Sequence, residues 1–87
     1  MPLIVRFLDP AKKQLGKLDK PVQLKVVRAL EGLAESENPQ SRCKPLAGEL
    51  GGYFSYRIQD LRAVVDFVIE DGEILVIRVG WRKDVYD

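Results

Sequence analysis

Hydrophobic positions along this chain follow two different periods. Val22, Val26, Ala29, Leu30 and Leu33 recur at helical spacing, with Lys25, Arg28 and Glu31 turned outward between them, so a helix is expected to run to about Ala34. Further on the period drops to two. Leu61, Ala63, Val65, Phe67 and Ile69 form one fully apolar face, and Arg62, Val64, Asp66, Val68 and Glu70 form the other. A shorter strand, Tyr53 to Arg57, precedes this one across the turn Ile58-Gln59-Asp60-Leu61, with Tyr53, Ser55 and Arg57 facing one way and Phe54, Tyr56 and Ile58 the other. A third strand follows Asp71-Gly72, a dipeptide suited to a two-residue hairpin turn. In it Ile74, Val76 and Arg78 alternate with Leu75, Ile77 and Val79. These three strands read as an antiparallel meander.

The N-terminal part supplies the remaining elements. Leu3 to Leu8 is a β-branched and aromatic run, read as a first strand. Asp9 is a good N-cap and Pro10 suits the first helical position, so a short helix should span Ala11 to Leu18, with Ala11, Leu15 and Leu18 on one face and Lys12, Lys13 and Lys17 in solvent. Asp19 then caps the second helix, with Pro21 in its first turn. The two helices form a hairpin whose apolar side must be buried, and the sheet is the large partner available. Glu35 to Arg42 reads as a loop, and Leu46 and Leu50 as core anchors among the turn residues Gly48, Gly51 and Gly52. The fold class is therefore α+β, in the order β-α-α-β-β-β, a single domain over residues 1–87 with the helices on one face of a mainly antiparallel sheet.

Composition narrows the chemistry. The chain has 87 residues, no histidine and one cysteine, Cys43, so an intrachain disulfide and His-based catalysis are both excluded. Cys43 reads as a buried or incidental thiol. No run approaches the roughly 20 apolar residues of a membrane span, and no signal peptide is visible, so a cytoplasmic protein without membrane contact is expected. Net charge is +1, with an excess of positive charge in residues 1–43 and of negative charge in residues 44–87. Any anion site in the meander must then be local and not a product of the overall field.

Such a site is suggested by the arginines. Arg57 and Arg62 can face each other across the first hairpin, and an anion between them would relieve the repulsion of like charges set opposite one another. Arg82, Lys83 and Tyr86 follow the last strand directly. Simpler readings exist for each: Arg62 paired with Asp60 or Asp66, Arg82 and Lys83 as a solvated basic tail, Tyr86 packed on the sheet edge, and Trp81 as a packing residue.

Four short motifs carry a resemblance over nearly the whole length. They are K-x-L-x-K-L-D from Lys13 to Asp19, K-P-L-x-G-x-L from Lys44 to Leu50, Y-R-x-x-D-x-R from Tyr56 to Arg62, and R-V-G-x-R-x-x-V-Y from Arg78 to Tyr86. In their order and spacing the chain resembles the RelE branch of the RelE/ParE toxin superfamily. The resemblance implies a fold like that of small microbial ribonucleases and a toxin neutralised by a cognate antitoxin. It implies cleavage of messenger RNA, typically in the ribosomal A site, with operator DNA reached only through the antitoxin complex. Carried over by position, the family's catalytic arginines match Arg62 and Arg82 and its C-terminal tyrosine matches Tyr86; Arg57, Lys83 and Trp81 are the further substrate contacts. Some members carry two lysines on the second strand, where this chain has Phe54 and Tyr56, and many have histidine or a basic residue at the position of Trp81. No metal or other cofactor is implied. The alternatives within the superfamily are a ParE-like poison of DNA gyrase and an inactive relative that only binds its antitoxin.

Overall fold

A computed structural model describes residues 2–81 of the chain. Strand β1 (Ile4–Phe7) leads through Leu8 into helix α1 (Asp9–Gly16). Leu8, not Asp9, is the N-cap, and its carbonyl accepts the Lys12 N–H at 2.9 Å. Asp9 sits one position inside, where its charge still favours the positive end of the helix. Pro10 is tolerated beside it because first-turn N–H groups have no intrahelical acceptor. α1 ends at Gly16, short of the expected Leu18, and the Lys17 and Leu18 N–H groups bond back to Gln14 and Leu15. Helix α2 (Lys20–Glu35) follows Asp19, which occupies the N-cap with extended backbone but no capping bond from its side chain. Ser36 closes the helix: its N–H and its hydroxyl both donate to the Leu33 carbonyl, at 3.2 and 2.7 Å.

The sheet has five strands in the order β1-β5-β4-β3-β2. Beyond β1 these are β2 (Lys44–Pro45), β3 (Phe54–Ile58), β4 (Leu61–Val68) and β5 (Glu73–Trp81). The meander β3-β4-β5 is antiparallel, whereas β1 runs parallel to β5, with Val5 opposite Ile74 and Phe7 opposite Val76. β2 is an addition to the expected elements: two residues laid along the outer edge of β3, where proline costs no ladder hydrogen bond on the solvent side. The described architecture is thus α+β with both helices against one sheet face.

That face forms the core. Leu61, Ala63 and Val65 of β4 are buried with Ile74, Val76 and Val79 of β5 against Ala11, Val26, Leu30 and Leu33 of the helices. Phe54 and Phe67 pack beside them edge-to-face, ring centroids 5.2 Å apart. The alternation expected for β5 is broken partway. Val65 pairs with Val76 while Val64 pairs with Arg78, so Ile77 is an extra residue, a bulge. Up to Val76 the even-numbered positions face the helices; beyond Ile77 the odd-numbered Val79 does, and Arg78 stands with Val64 on the opposite side.

Three further expectations change. Val68 pairs with Glu73, so the second hairpin loop has four residues: a 3-10 turn at Ile69–Asp71 closed by Gly72 at φ 67°. Asp71-Gly72 is therefore not a two-residue turn, and Ile69, expected on the apolar face, is exposed in that loop. Leu46 and Leu50 are only half-buried and lie outside the core cluster. The first hairpin does turn tightly: Ile58 pairs with Leu61, and Gln59 takes the left-handed conformation at φ 56°. No helix among the described residues is long and apolar enough to cross a membrane.

Candidate functional site

Cross-strand partners share a face of a sheet, so the pairing places the basic side chains on the side away from the helices. Two rows cross that side. One runs Lys44, Ser55, Val64, Arg78 over four strands, and the next runs Arg57, Arg62, Gly80 over three. Farther along, Arg6 of β1 lies beside Leu75 and forms an ion pair with Glu73 at 3.5 Å. The middle of this face is not open to solvent as alternation alone suggests: Val64 is 0% and Ser55 2% exposed. Lys44, Arg57 and Arg78 form an exposed basic rim around it, and Arg62 is half-buried between rim and centre.

Arg57 and Arg62 are direct partners in the register, as the hairpin spacing implies. Like charges so placed repel, and the two side chains bond in opposite directions. Arg57 Nε donates to the Gln59 carbonyl in the turn at 3.3 Å, while Arg62 Nη1 donates to Ser55 Oγ at 3.0 Å, back toward the strand centre. These local acceptors turn the two guanidinium groups apart. Ser55 thus holds the half-buried guanidinium in a low-dielectric setting, where its charge acts more strongly than in water. Gly80 is the partner of Arg62 on the other flank.

The other residues named from the sequence fall differently. Trp81 pairs with Leu61, a core position, so it stands on the helix-facing side, 43% exposed at the sheet's end and not beside Arg57 and Arg62. Arg82, Lys83 and Tyr86 lie outside the described residues. Phe54 and Tyr56 pack against the core; the positions of β3 that reach the basic face are Ser55 and Arg57. Two basic residues that sequence reasoning did not single out, Lys44 and Arg78, share the face. Arg78 was hidden because strict alternation puts it with Ile74 and Val76, and only the bulge at Ile77 reverses that.

Away from this face, Lys12 and Lys13 of α1 and Lys17 just past its end are exposed, and Lys25 of α2 donates to Gln59 Oε1 at 2.8 Å. Cys43 lies partly buried against the core with its Sγ 3.6 Å from the Pro39 carbonyl, and burial pushes the thiol up to about 11. It is protonated at neutral pH and a poor nucleophile.

The family described as the ParE toxin of the type II toxin–antitoxin system parDE matches residues 5–86. Among solved structures, a chain of the toxin–antitoxin complex RelBE2 from Mycobacterium tuberculosis is 33% identical, with 97% of this chain and 95% of that one covered at a TM-score of 0.86. A mutant of the E. coli toxin RelE in the free state is 22% identical over 98% of this chain and 88% of its own, TM-score 0.77. The archaeal RelE–RelB complex from Pyrococcus horikoshii shares the fold at 19% identity over 98% and 100% of the two chains, TM-score 0.74. No curated protein matches the chain.

Proposed function

This chain belongs to the RelE/ParE superfamily of type II toxins, and we propose that it acts as an endoribonuclease on messenger RNA in the ribosomal A site. The observation that carries this reading is the half-buried Arg62, held by Ser55 beside Arg57 on a helix-free sheet face. RNA supplies its own nucleophile. The 2′-oxygen attacks the adjacent phosphorus, the bond to the 5′-oxygen breaks, and a 2′,3′-cyclic phosphate and a free 5′-hydroxyl result. The 2′-proton leaves to a base, and the departing oxygen takes up a proton from water. Arg62 clamps the phosphate, since a guanidinium presents paired donors to two oxygens. Arg57 is the neighbouring contact. Tyr86 is the base in this reading: a phenol ordinarily titrates near 10, and a guanidinium group brought beside it would favour its ionised form. Arg82 meets charge on the leaving oxygen and Lys83 adds a phosphate contact. The step needs no metal ion. Trp81, on the other side of the sheet, serves packing or antitoxin contact in this reading.

The partner is a cognate antitoxin, as in the RelBE2 and RelE–RelB complexes. Its acidic residues meet the exposed Lys12 and Lys13 of α1, Lys17 just past its end and Lys25 of α2, and operator DNA is bound only through that complex. Toxin and antitoxin meet in the cytoplasm. A second reading is favoured by the family description, which names ParE: poisoning of DNA gyrase with no RNA cleavage. Cleavage of ribosome-bound message at equal concentrations of folded protein tests the choice, with thermal melting as control. Arg62→Ala and Arg82→Ala should each lower the rate by roughly 10²–10³, and Tyr86→Phe by about 10²–10⁴ while preserving the ring. Full activity in all three variants removes this site. Intact transcripts with accumulating DNA breaks would establish the gyrase reading instead.

A further inference from the structure

We propose that Gln59 is a positioning residue, the link through which helix α2 fixes the direction of Arg57 on the opposite side of the sheet. The inference rests on the nuclease reading above and adds to it a residue that acts on the site without touching RNA. Gln59 stands in the two-residue loop between β3 and β4, whose flanking residues Ile58 and Leu61 are paired and buried. Its two oxygens accept from the two layers of the molecule. From the helix layer, Lys25 Nζ donates to Gln59 Oε1 at 2.8 Å, across 34 residues of sequence. From the basic face, Arg57 Nε donates to the Gln59 carbonyl at 3.3 Å. One residue therefore receives a helix cation through its side chain and a sheet cation through its backbone.

The backbone at this position makes the side chain informative. Gln59 has φ 56°, and among the described residues it is the one non-glycine residue at positive φ; Asp60, the second loop residue, is not. A two-residue hairpin loop with positive φ at its first position alone favours glycine there, because a residue with a Cβ is strained in the left-handed region. Glutamine gives up that ease and gains a reach that glycine lacks. Such strain persists where surrounding contacts hold it, and Lys25 supplies one. With its side chain tied to α2, the Gln59–Asp60 peptide is held with its carbonyl toward Arg57. The direction matters because the register partner of Arg57 is Arg62. Guanidinium groups set opposite each other repel, and an exposed, untethered arginine samples many rotamers. The bond to Gln59 selects those that point to the turn, so the charge occupies a fixed place beside Arg62. The rotamer freedom is then given up in the folded protein and not at the moment a phosphate binds.

The test follows the Arg57 Nε–H by NMR in the full-length protein and, in parallel, the cleavage of ribosome-bound message. Gln59→Gly and Lys25→Met each remove the bond between α2 and the loop. In both, exchange of the Arg57 Nε–H with water should speed up roughly fivefold, the factor that one ordinary hydrogen bond supplies. Lys25→Arg keeps a donor for Gln59 and should keep the slow exchange. Gln59→Gly should melt at or above the parental Tm, since glycine relieves the left-handed backbone. Its kcat/KM should nevertheless fall roughly threefold, part of the roughly tenfold loss expected of Arg57→Ala. Adding Gln59→Gly to Arg57→Ala should bring no further loss, as befits a residue that acts only through Arg57. A purely structural role predicts instead that stability and activity change together. Parental exchange rates in both Gln59→Gly and Lys25→Met overturn the inference, and so does a full additional loss of activity in the double variant. The exchange measurement needs no RNA, which keeps the two readings apart. If the parent leaves message intact while exchange responds as described, the nuclease reading fails and the placement of Arg57 by Gln59 stands.

Discussion

The two faces of this sheet share the same strands yet solve opposite problems. On the helix side Ala63, Val65, Ile74 and Val76 are each 0% exposed and locked against Val26, Leu30 and Leu33, and an error of one residue there would place charge in the core. On the other side only the centre is closed, and cations stand in water around it at positions fixed by the pairing. The helix face thus sets the register, and the basic face inherits its geometry from that register without contributing much to stability. β5 joins the two demands. Its bulge lets Val76 and Val79 both reach the core while Arg78 faces away.

This contrast can be broken most severely by deletion. Removing Val64 from β4, which has no extra residue to spare, slips Leu61 and Ala63 onto the wrong face, and the protein should fail to fold by circular dichroism. Removing Ile77 restores simple alternation, with Ile74, Val76 and Val79 inward and Leu75 and Arg78 outward. That variant should stay folded, its Tm within about 8 °C of the parent, the shift that ~1 kcal/mol produces in a domain of this size. If it unfolds as completely as the Val64 deletion, the bulge is not the separable insertion described above. A milder comparison sets a truncation on each face side by side. Leu30→Ala should cost about 2–5 kcal/mol in chemical denaturation, a large share of the stability of so small a domain. Arg57→Ala should stay within about 0.5 kcal/mol, and equal losses would mean that the basic face carries structural weight after all.

Much of the helix face could be read from the chain. Leu61, Ala63 and Val65 alternate without interruption, Val26, Leu30 and Leu33 keep helical spacing, and both patterns follow directly from burial. The Arg57–Arg62 pair was legible because a tight turn leaves little choice of register. What escaped was local and unperiodic. Leu75, Val76 and Ile77 are three consecutive apolar residues, which do not say which of them is extra. β2 is two residues long and contains a proline, so it has neither length nor strand propensity to announce it. The modest Ser55, which bonds Arg62, gave no signal of its own. Trp81 lies past the bulge, where counting from the start of the strand assigns the opposite face.

The helix side can also be tested by titration. Cys43 packs against the core, and burial raises its thiol from 9.0 to about 11. The fold therefore favours the protonated form: the associated stability is fully present below pH 9.0 and is lost as the pH rises toward 11. Between those values the Tm of the parent should fall more steeply than that of Cys43→Ser, and alkylation by iodoacetamide at pH 8 should be far slower than for a free thiol. Parallel melting curves and rapid alkylation would show that Cys43 belongs with the solvated residues.

The parallel pairing of β1 with β5 has a consequence in time as well as in space. Ile4 lies opposite Glu73, and Gln14 Oε1 accepts the Val79 N–H at 2.8 Å across 65 residues of sequence. Contacts of such long loop closure are made late and slow a domain's folding. As the chain emerges during synthesis, β1, α1 and α2 can form locally but find no finished sheet until residues 73–81 arrive. The strand that completes the hydrophobic interior is also the strand that brings Arg78 to the surface, so a nascent chain stalled before Glu73 has neither a closed core nor the full set of cations. Folding competence and the complete basic face are acquired in one late event.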